Sequence, residues 1–308
     1  MSKQTKNPAD YIETLYMNGL HGRMLFLPSS TKKKREILLV YGHHASLERM
    51  FGLAEEFSKY GNVTMPDLPG FGGMQSFYKI KEKPTLDNLA DYLAAFIKLR
   101  FKRKRLTIMG MSFGFLVATR MLQVYPELVD KVDLLISIVG FAHKDDFRFK
   151  RRNYLLMRYT SSFFSNYLPS KFVQHFIMRG PIIRKVYQLQ ADSHSKLKDA
   201  DKVEQQRRID FEIVLWQIND VRTYMDTTIT MFTIDLCKSQ VDLPLHHIEV
   251  KHDRYLNNRI VEQHLKVIYS QVDIIKTSLE AHAPTVIADA KDAAPFVPTK
   301  LRRLLAKS

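Results

Sequence analysis

Gly110-Met111-Ser112-Phe113-Gly114 sets one serine between two glycines. Arg105-Leu106-Thr107-Ile108-Met109, just before it, reads as a short buried strand. Phe115 to Leu122, just after it, reads as a helix. A serine on a sharp strand-to-helix turn is the arrangement called a nucleophile elbow. The turn crowds the backbone, so residues without a Cβ are needed on both sides. The hydroxyl then points away from the sheet, above helix N–H groups and a positive dipole end. The chemistry is nucleophilic attack, with a site for developing negative charge close by. Alone, the pentapeptide also fits a strand ending in a plain Gly-Ser turn, so the surrounding elements decide.

Those elements alternate. Tyr11–Tyr16 and Arg23–Leu27 flank Asn18-Gly19, a strong hairpin turn. Glu36-Ile37-Leu38-Leu39-Val40-Tyr41 is a continuous apolar run, as expected of a strand buried on both faces. It leads into Gly42-His43-His44. Residues 47–59 carry apolar residues at helical spacing, and Gly61-Asn62 predicts a left-handed cap behind them. Val63–Pro66 is a short strand that delivers Asp67-Leu68-Pro69-Gly70-Phe71-Gly72-Gly73. A helix follows over 85–99, with Thr85 or Asp87 as N-cap, then the elbow, then a buried strand over 132–139. Strand character returns over 245–250 and near 273–276, with a helix near 258–269 between them. Strand-helix alternation of this kind predicts an α/β fold with a mostly parallel sheet covered on both faces. Sites in such sheets lie at the carboxyl ends of the strands, where Gly42-His43, Gly70-Phe71, Ser112 and Gly140-Phe141 all fall.

From residue 141 to about 240 the strand pattern stops. The segment reads as helices rich in aromatics, methionine and cations. The chain therefore divides into a first core part over 1–140, a helical cap over 141–240 and a second core part over 241–308. The C-terminus, Thr299–Leu305, reads as a basic amphipathic helix.

A chain of 308 residues with 45% hydrophobic content can bury a core without disulfides. Its single cysteine, Cys237, allows no internal disulfide and reads as a buried structural thiol. No secretory signal follows Met1, and no run reaches the roughly 18–20 apolar residues that span a bilayer. A cytoplasmic location is the expectation, with peripheral contact at the inner membrane surface. The net charge of +15 points to anionic partners, or to a generally basic proteome.

With these pieces placed, the chain resembles the α/β-hydrolase superfamily in its capped form. The resemblance rests on Val40-Tyr41-Gly42-His43, Asp67-Leu68-Pro69-Gly70-Phe71-Gly72, the elbow, and Val250-Lys251-His252-Asp253 ahead of Ala281-His282-Ala283-Pro284. It implies the α/β-hydrolase fold and a triad in the order nucleophile, acid, histidine, here Ser112, Asp253 and His282. Histidine can take the serine proton and return it, and a carboxylate orients the ring. The resemblance also implies an oxyanion hole from the backbone N–H groups of His43 and Phe113. Tyr41, His44, Phe71 and Phe141 are expected to face substrate. Asp145 or Asp146 is the alternative acid, and His246, His247 and His252 are rival bases. Many relatives carry His-Gly where Tyr41-Gly42 stands here. Serine at 112 argues against epoxide hydrolase and haloalkane dehalogenase chemistry, which use a carboxylate nucleophile.

The expected activity is hydrolysis of a carboxylic ester with an apolar or lipid-like acyl group, needing no cofactor and no metal. Acyl transfer by the same triad and a catalytically silent binding fold are the alternatives. The cap aromatics are either the cap's own core or the walls of an apolar pocket. Phe147–Tyr159 interleaves cations with aromatics, which predicts contact with an anionic membrane. No nucleic-acid-binding motif accompanies it.

Overall fold

In the computed structural model, Asn18 and Gly19 take φ of 51° and 78°, the left-handed pair a two-residue hairpin turn needs. The structure describes residues 6–189, 201–277, 282 and 290–307. The turn joins β1 (Ile12–Met17) to β2 (Leu20–Leu27). Then come β3 (Glu36–Val40), helix α1 (Leu47–Phe57), β4 (Asn62–Pro66), α2 (Leu86–Arg100), β5 (Leu106–Met111), α3 (Phe113–Val124) and β6 (Val132–Ile138). After β6 the described residues form α4 (Arg151–Phe164), α5 (Tyr167–Phe172), α6 (Gly180–Leu189), α7 (Lys202–Ile218) and α8 (Val221–Met231). The chain returns to the sheet with β7 (Val241–Val250), α9 (Asn258–Ile268) and β8 (Tyr269–Thr277). It closes with α10 (Ala290–Ala293) and α11 (Thr299–Ala306).

The fold is the α/β-hydrolase fold. Among the described residues, eight strands form one sheet in the order β1-β2-β4-β3-β5-β6-β7-β8. From β4 to β8 every pairing is parallel, while β1–β2 and β2–β4 are antiparallel. Every residue of β3 and β5 is buried, as strands covered on both faces must be. The chain steps from β3 to β4 and then back across to β5. Right-handed crossovers in opposite directions put α1 and α2 on opposite faces. A crevice therefore opens between the ends of β3 and β5, the point where such folds bind ligands.

One sequence expectation changes. Gly61 does not cap α1. That helix ends on Ser58 in right-handed conformation, and Gly61 sits where a Cβ would come 2.4 Å from the Arg35 carbonyl oxygen. The glycine serves a close backbone approach. Helix α11 turns Leu301 and Leu305 into the main core, and Arg302 pairs with buried Glu56 at 2.9 Å. Its amphipathic face belongs to the hydrolase core. Cys237 is half-buried, and burial together with Asp235 pushes its thiol up to about 11.

Candidate active site

The elbow is fixed by close packing. A Cβ on Gly110 would come 2.5 Å from Phe115 Cα, and one on Gly114 would come 2.3 Å from the Val40 carbonyl oxygen. Both glycines are sterically required. Between them Ser112 takes φ 48°, ψ −116°, a conformation that non-glycine residues adopt only under constraint. The constraint is visible: Ser112 N–H donates to the Ile138 carbonyl at 2.9 Å, and Phe115 N–H donates to the Ser112 carbonyl at 3.1 Å.

His282 lies between Ser112 and Asp253. Its Nε2 is 3.1 Å from Ser112 Oγ, and its Nδ1 is 2.5 Å from Asp253 Oδ2. A carboxylate only accepts, so the ring proton sits on Nδ1 and Nε2 is left to accept from the Ser112 hydroxyl. Asp253 follows β7 and is 2% exposed. Its Oδ1 accepts from the N–H groups of Tyr255 at 2.8 Å and Leu256 at 3.0 Å. Burial opposes the carboxylate's charge, but these donors and His282 together hold its pKa below the usual carboxylate value. The Tyr255 ring stands edge-on to His282 at 5.3 Å. A hydroxyl backed by an imidazole and a carboxylate in this way is primed as a nucleophile.

The rival residues lie elsewhere. Asp146 is fully buried, pairs with His264 at 2.6 Å and accepts from the N–H groups of Ala142 and His143. Asp145 is exposed. His246 pairs with Asp273 at 3.0 Å, His247 with Ser137 at 2.8 Å, and His252 is exposed.

The loop after β3 passes close to Ser112. A Cβ on Gly42 would lie 3.3 Å from Ser112 Cβ and 3.9 Å from its Oγ, so the loop passes the hydroxyl at Gly42, one residue before His43. Phe113 is the first residue of α3, whose opening N–H groups have no acceptor within the helix. The His43 side chain turns toward α8. Thr227 donates its hydroxyl proton to the Thr223 carbonyl at 2.8 Å, so its oxygen accepts from His43 Nε2 at 2.9 Å. The ring packs on Tyr224 at 4.2 Å, Phe71 at 5.4 Å and Phe113 at 5.6 Å. Burial, then the neighbouring His44, lowers its pKa to about 3, so the ring is neutral.

His44 takes φ 53° and reaches Glu212 of α7 at 3.3 Å and Asn219 at 3.3 Å. Asn219 Oδ1 in turn accepts from Gly72 N–H at 2.8 Å, and Asp220 N–H donates to the Gly70 carbonyl at 2.9 Å. Through these bonds the α7–α8 junction is seated on the loop from Asp67 to Gly73. Sequence reading missed Tyr224, Thr227, Asn219 and Tyr255. The one signal available was Asn219-Asp220, which breaks a helical run and caps α8.

Tyr41 departs from its expected placement against substrate. It is fully buried, its hydroxyl donates to Asp67 Oδ1 at 2.8 Å, and it accepts from Leu68 N–H at 3.0 Å. Asp67 also meets Arg23 at 3.1 Å and Gly73 N–H at 2.9 Å. Burial pushes its pKa up to about 6 despite Arg23 and Tyr41. A Cβ on Gly72 would come 2.0 Å from Asp67 Oδ1, which explains that glycine. Phe71 is buried against His43 and Phe113. Phe141 is buried against Phe147 at 4.9 Å, in the core. Among the described residues no cluster of metal-ligating side chains occurs.

The chain belongs to the α/β-hydrolase family: the model described as alpha/beta hydrolase fold matches residues 37–224. Solved structures with the same fold include the enol-lactonase from Burkholderia xenovorans LB400, at TM-score 0.63 and 13% identity over 95% of this chain and 99% of that one. The N-formylmaleamic acid deformylase from Pseudomonas putida S16 aligns at TM-score 0.61 and 17% identity, covering 88% of this chain and 94% of that one. The esterase from Exiguobacterium antarcticum aligns at TM-score 0.59 and 14% identity, covering 84% and 87%. No significant match is found among curated proteins.

Proposed function

We propose that this protein is a serine hydrolase of carboxylic esters that works through an acyl-enzyme on Ser112. The observation that carries this reading is the continuous hydrogen-bonded line from Ser112 Oγ through His282 to Asp253. Ser112 Oγ attacks the ester carbonyl carbon while its proton passes to His282 Nε2. The carbonyl oxygen becomes an oxyanion, met by the N–H groups of Phe113 and His43. Loss of one such donor typically costs about 3–4 kcal/mol of transition-state stabilisation. The C–O bond to the alcohol breaks as His282 returns its proton to the leaving oxygen. Water then repeats the sequence on the acyl-serine and releases the acid. These steps use the chain's own groups and call for no cofactor.

Phe71, Phe113 and Tyr224 gather beside the His43 loop, and Tyr255 stands beside His282, which favours an apolar acyl group. The relatives named as an enol-lactonase and an esterase share the fold. The ester reading itself rests on the three side chains. The test is labelling by a fluorophosphonate probe, with Ser112→Ala as control, followed by p-nitrophenyl esters of graded chain length. Labelling that requires Ser112, with turnover, supports the reading. Folded wild-type protein that neither labels nor cleaves any ester would refute it.

A further inference from the structure

The cap's outer face carries apolar side chains that no described part of the chain covers. Helices α4 and α5 pack on α8, and α6 packs on α7. On their other sides run three stripes at helical spacing. Leu156, Tyr159 and Phe163 lie on α4; Leu168 and Phe172 lie on α5, with Phe176 in the π-helical turn beyond it; Ile182, Val186 and Leu189 lie on α6. All nine are exposed, Tyr159 by 70%, Phe163 by 61% and Leu168 by 77%. Scattered apolar exposure is ordinary, but aligned stripes on consecutive elements mark a contact surface. They are not the cap's core. That core is small, with Ile183, Ile209 and Ile213 backed by Met178, Tyr187 and Trp216.

The same segment is one-sided in charge. From Phe147 to Leu189 there are nine lysines and arginines and no aspartate or glutamate. Arg184 is met by Asp210 of α7 at 2.6 Å, while Arg151, Arg152 and Arg158 are exposed on α4 beside its stripe. We infer that this face docks in the plane of a bilayer rich in anionic lipid, with the stripes entering the headgroup boundary and the cations on the phosphates. Among the described residues no helix is long and apolar enough to cross a membrane, so the helices lie along the surface. A second copy of the chain is the poorer fit, because a two-fold contact would set the same cations face to face. A soluble polyanion has no use for Leu168, Ile182 or Leu189. The inference does not depend on chemistry at Ser112.

A second basic surface supplies an internal control. A cleft of about 570 Å³ at the amino ends of β3 to β5 is lined by Lys32, Lys33, Lys34, Lys104 and Arg105, and it carries none of the apolar stripes.

The experiment is flotation of the full chain with phosphatidylcholine vesicles, and with vesicles of phosphatidylcholine and phosphatidylglycerol at two to one. The expected result is binding to the mixed vesicles alone, weakened by salt. Arg151→Gln/Arg152→Gln/Arg158→Gln should weaken partition by roughly a hundredfold, at about fivefold per cation. Phe163→Ser/Leu168→Ser/Phe172→Ser should weaken it at least tenfold with charge unchanged. Lys32→Gln/Lys33→Gln/Lys34→Gln should bind as wild type. All substituted side chains except Lys33 are exposed, and melting curves check that each variant is folded. Failure of wild type to float at low salt overturns the inference. So does loss of binding in the Lys32–Lys34 variant alone. A stable dimer by light scattering that Phe163→Ser/Leu168→Ser/Phe172→Ser dissolves, without vesicle binding by wild type, would assign the face to a second copy.

Discussion

The hydroxyl of Tyr41 donates to Asp67 across 2.8 Å, tying the end of β3 to the end of β4. Neither group reaches solvent, and the same tyrosine oxygen accepts from Leu68 N–H. Tyr41→Phe leaves that N–H and one carboxylate oxygen short of a partner. Removing one side of a buried hydrogen bond costs about 1–3 kcal/mol, more where the group left behind is charged. Urea denaturation of Tyr41→Phe should show at least that loss. An unchanged midpoint would mean the bond contributes nothing.

The strain at Ser112 separates two inactive variants. Ser112→Ala removes the hydroxyl and keeps a Cβ at φ 48°. Ser112→Gly removes both. Release of strain of the order of 1–3 kcal/mol exceeds the roughly 0.5–1 kcal/mol of extra unfolded-state entropy that glycine brings. Both variants should lose turnover, and Ser112→Gly should melt above Ser112→Ala. The reverse order in calorimetry would show the turn to be unstrained.

Asp253→Asn tests what holds the imidazole. The carboxylate accepts from Nδ1–H, whereas an amide can present its NH₂ and favour the other tautomer. Turnover should fall by roughly four orders of magnitude with the fold intact. Asp146→Asn, at the carboxylate paired with His264, should leave the rate of ester cleavage within about tenfold of wild type in the same assay. Equal loss in both variants would place the acid wrongly.

Acid sensitivity follows from His247. It is 2% exposed and bonded to Ser137, and burial holds its pKa near 4, below the ordinary 6.5. The unfolded chain therefore takes a proton between those values that the native ring refuses. Stability should be full above pH 6.5 and decline as pH falls toward 4, by on the order of 2–3 kcal/mol from this residue. His43 acts in the same direction. Urea midpoints measured across this range should show the slope, and His247→Asn should flatten part of it. An identical slope in that variant would assign the effect elsewhere.

The sheet and the elbow were legible because their physics is local. Two-face burial writes β3 and β5 as unbroken apolar runs, and close backbone contact demands Gly110 and Gly114. The cap was not. Phe147 and Phe163 belong to the same aromatic-cationic stretch, yet Phe147 packs on Phe141 and Phe232 while Phe163 is exposed. Nothing in a residue's type says which side of a helix meets a neighbour when both sides carry aromatics. Tyr41 was misplaced for a related reason. Its partner stands 26 residues away, and only the register of β3 on β4 makes them meet. Gly61 shows a similar limit: a glycine after a helix predicts a cap, but contact with Arg35 depends on the tertiary fold.

His43 and Asn219 tie α7 and α8 to the loops after β3 and β4. Thr227 holds the imidazole from above, and Asn219 grips Gly72 from the side. Any displacement of α8 would pull on both loops at once. Amide hydrogen exchange should register this as matched opening at Gly72 and Thr223. Independent rates at the two sites would mean that α8 moves without disturbing the loop at Gly72.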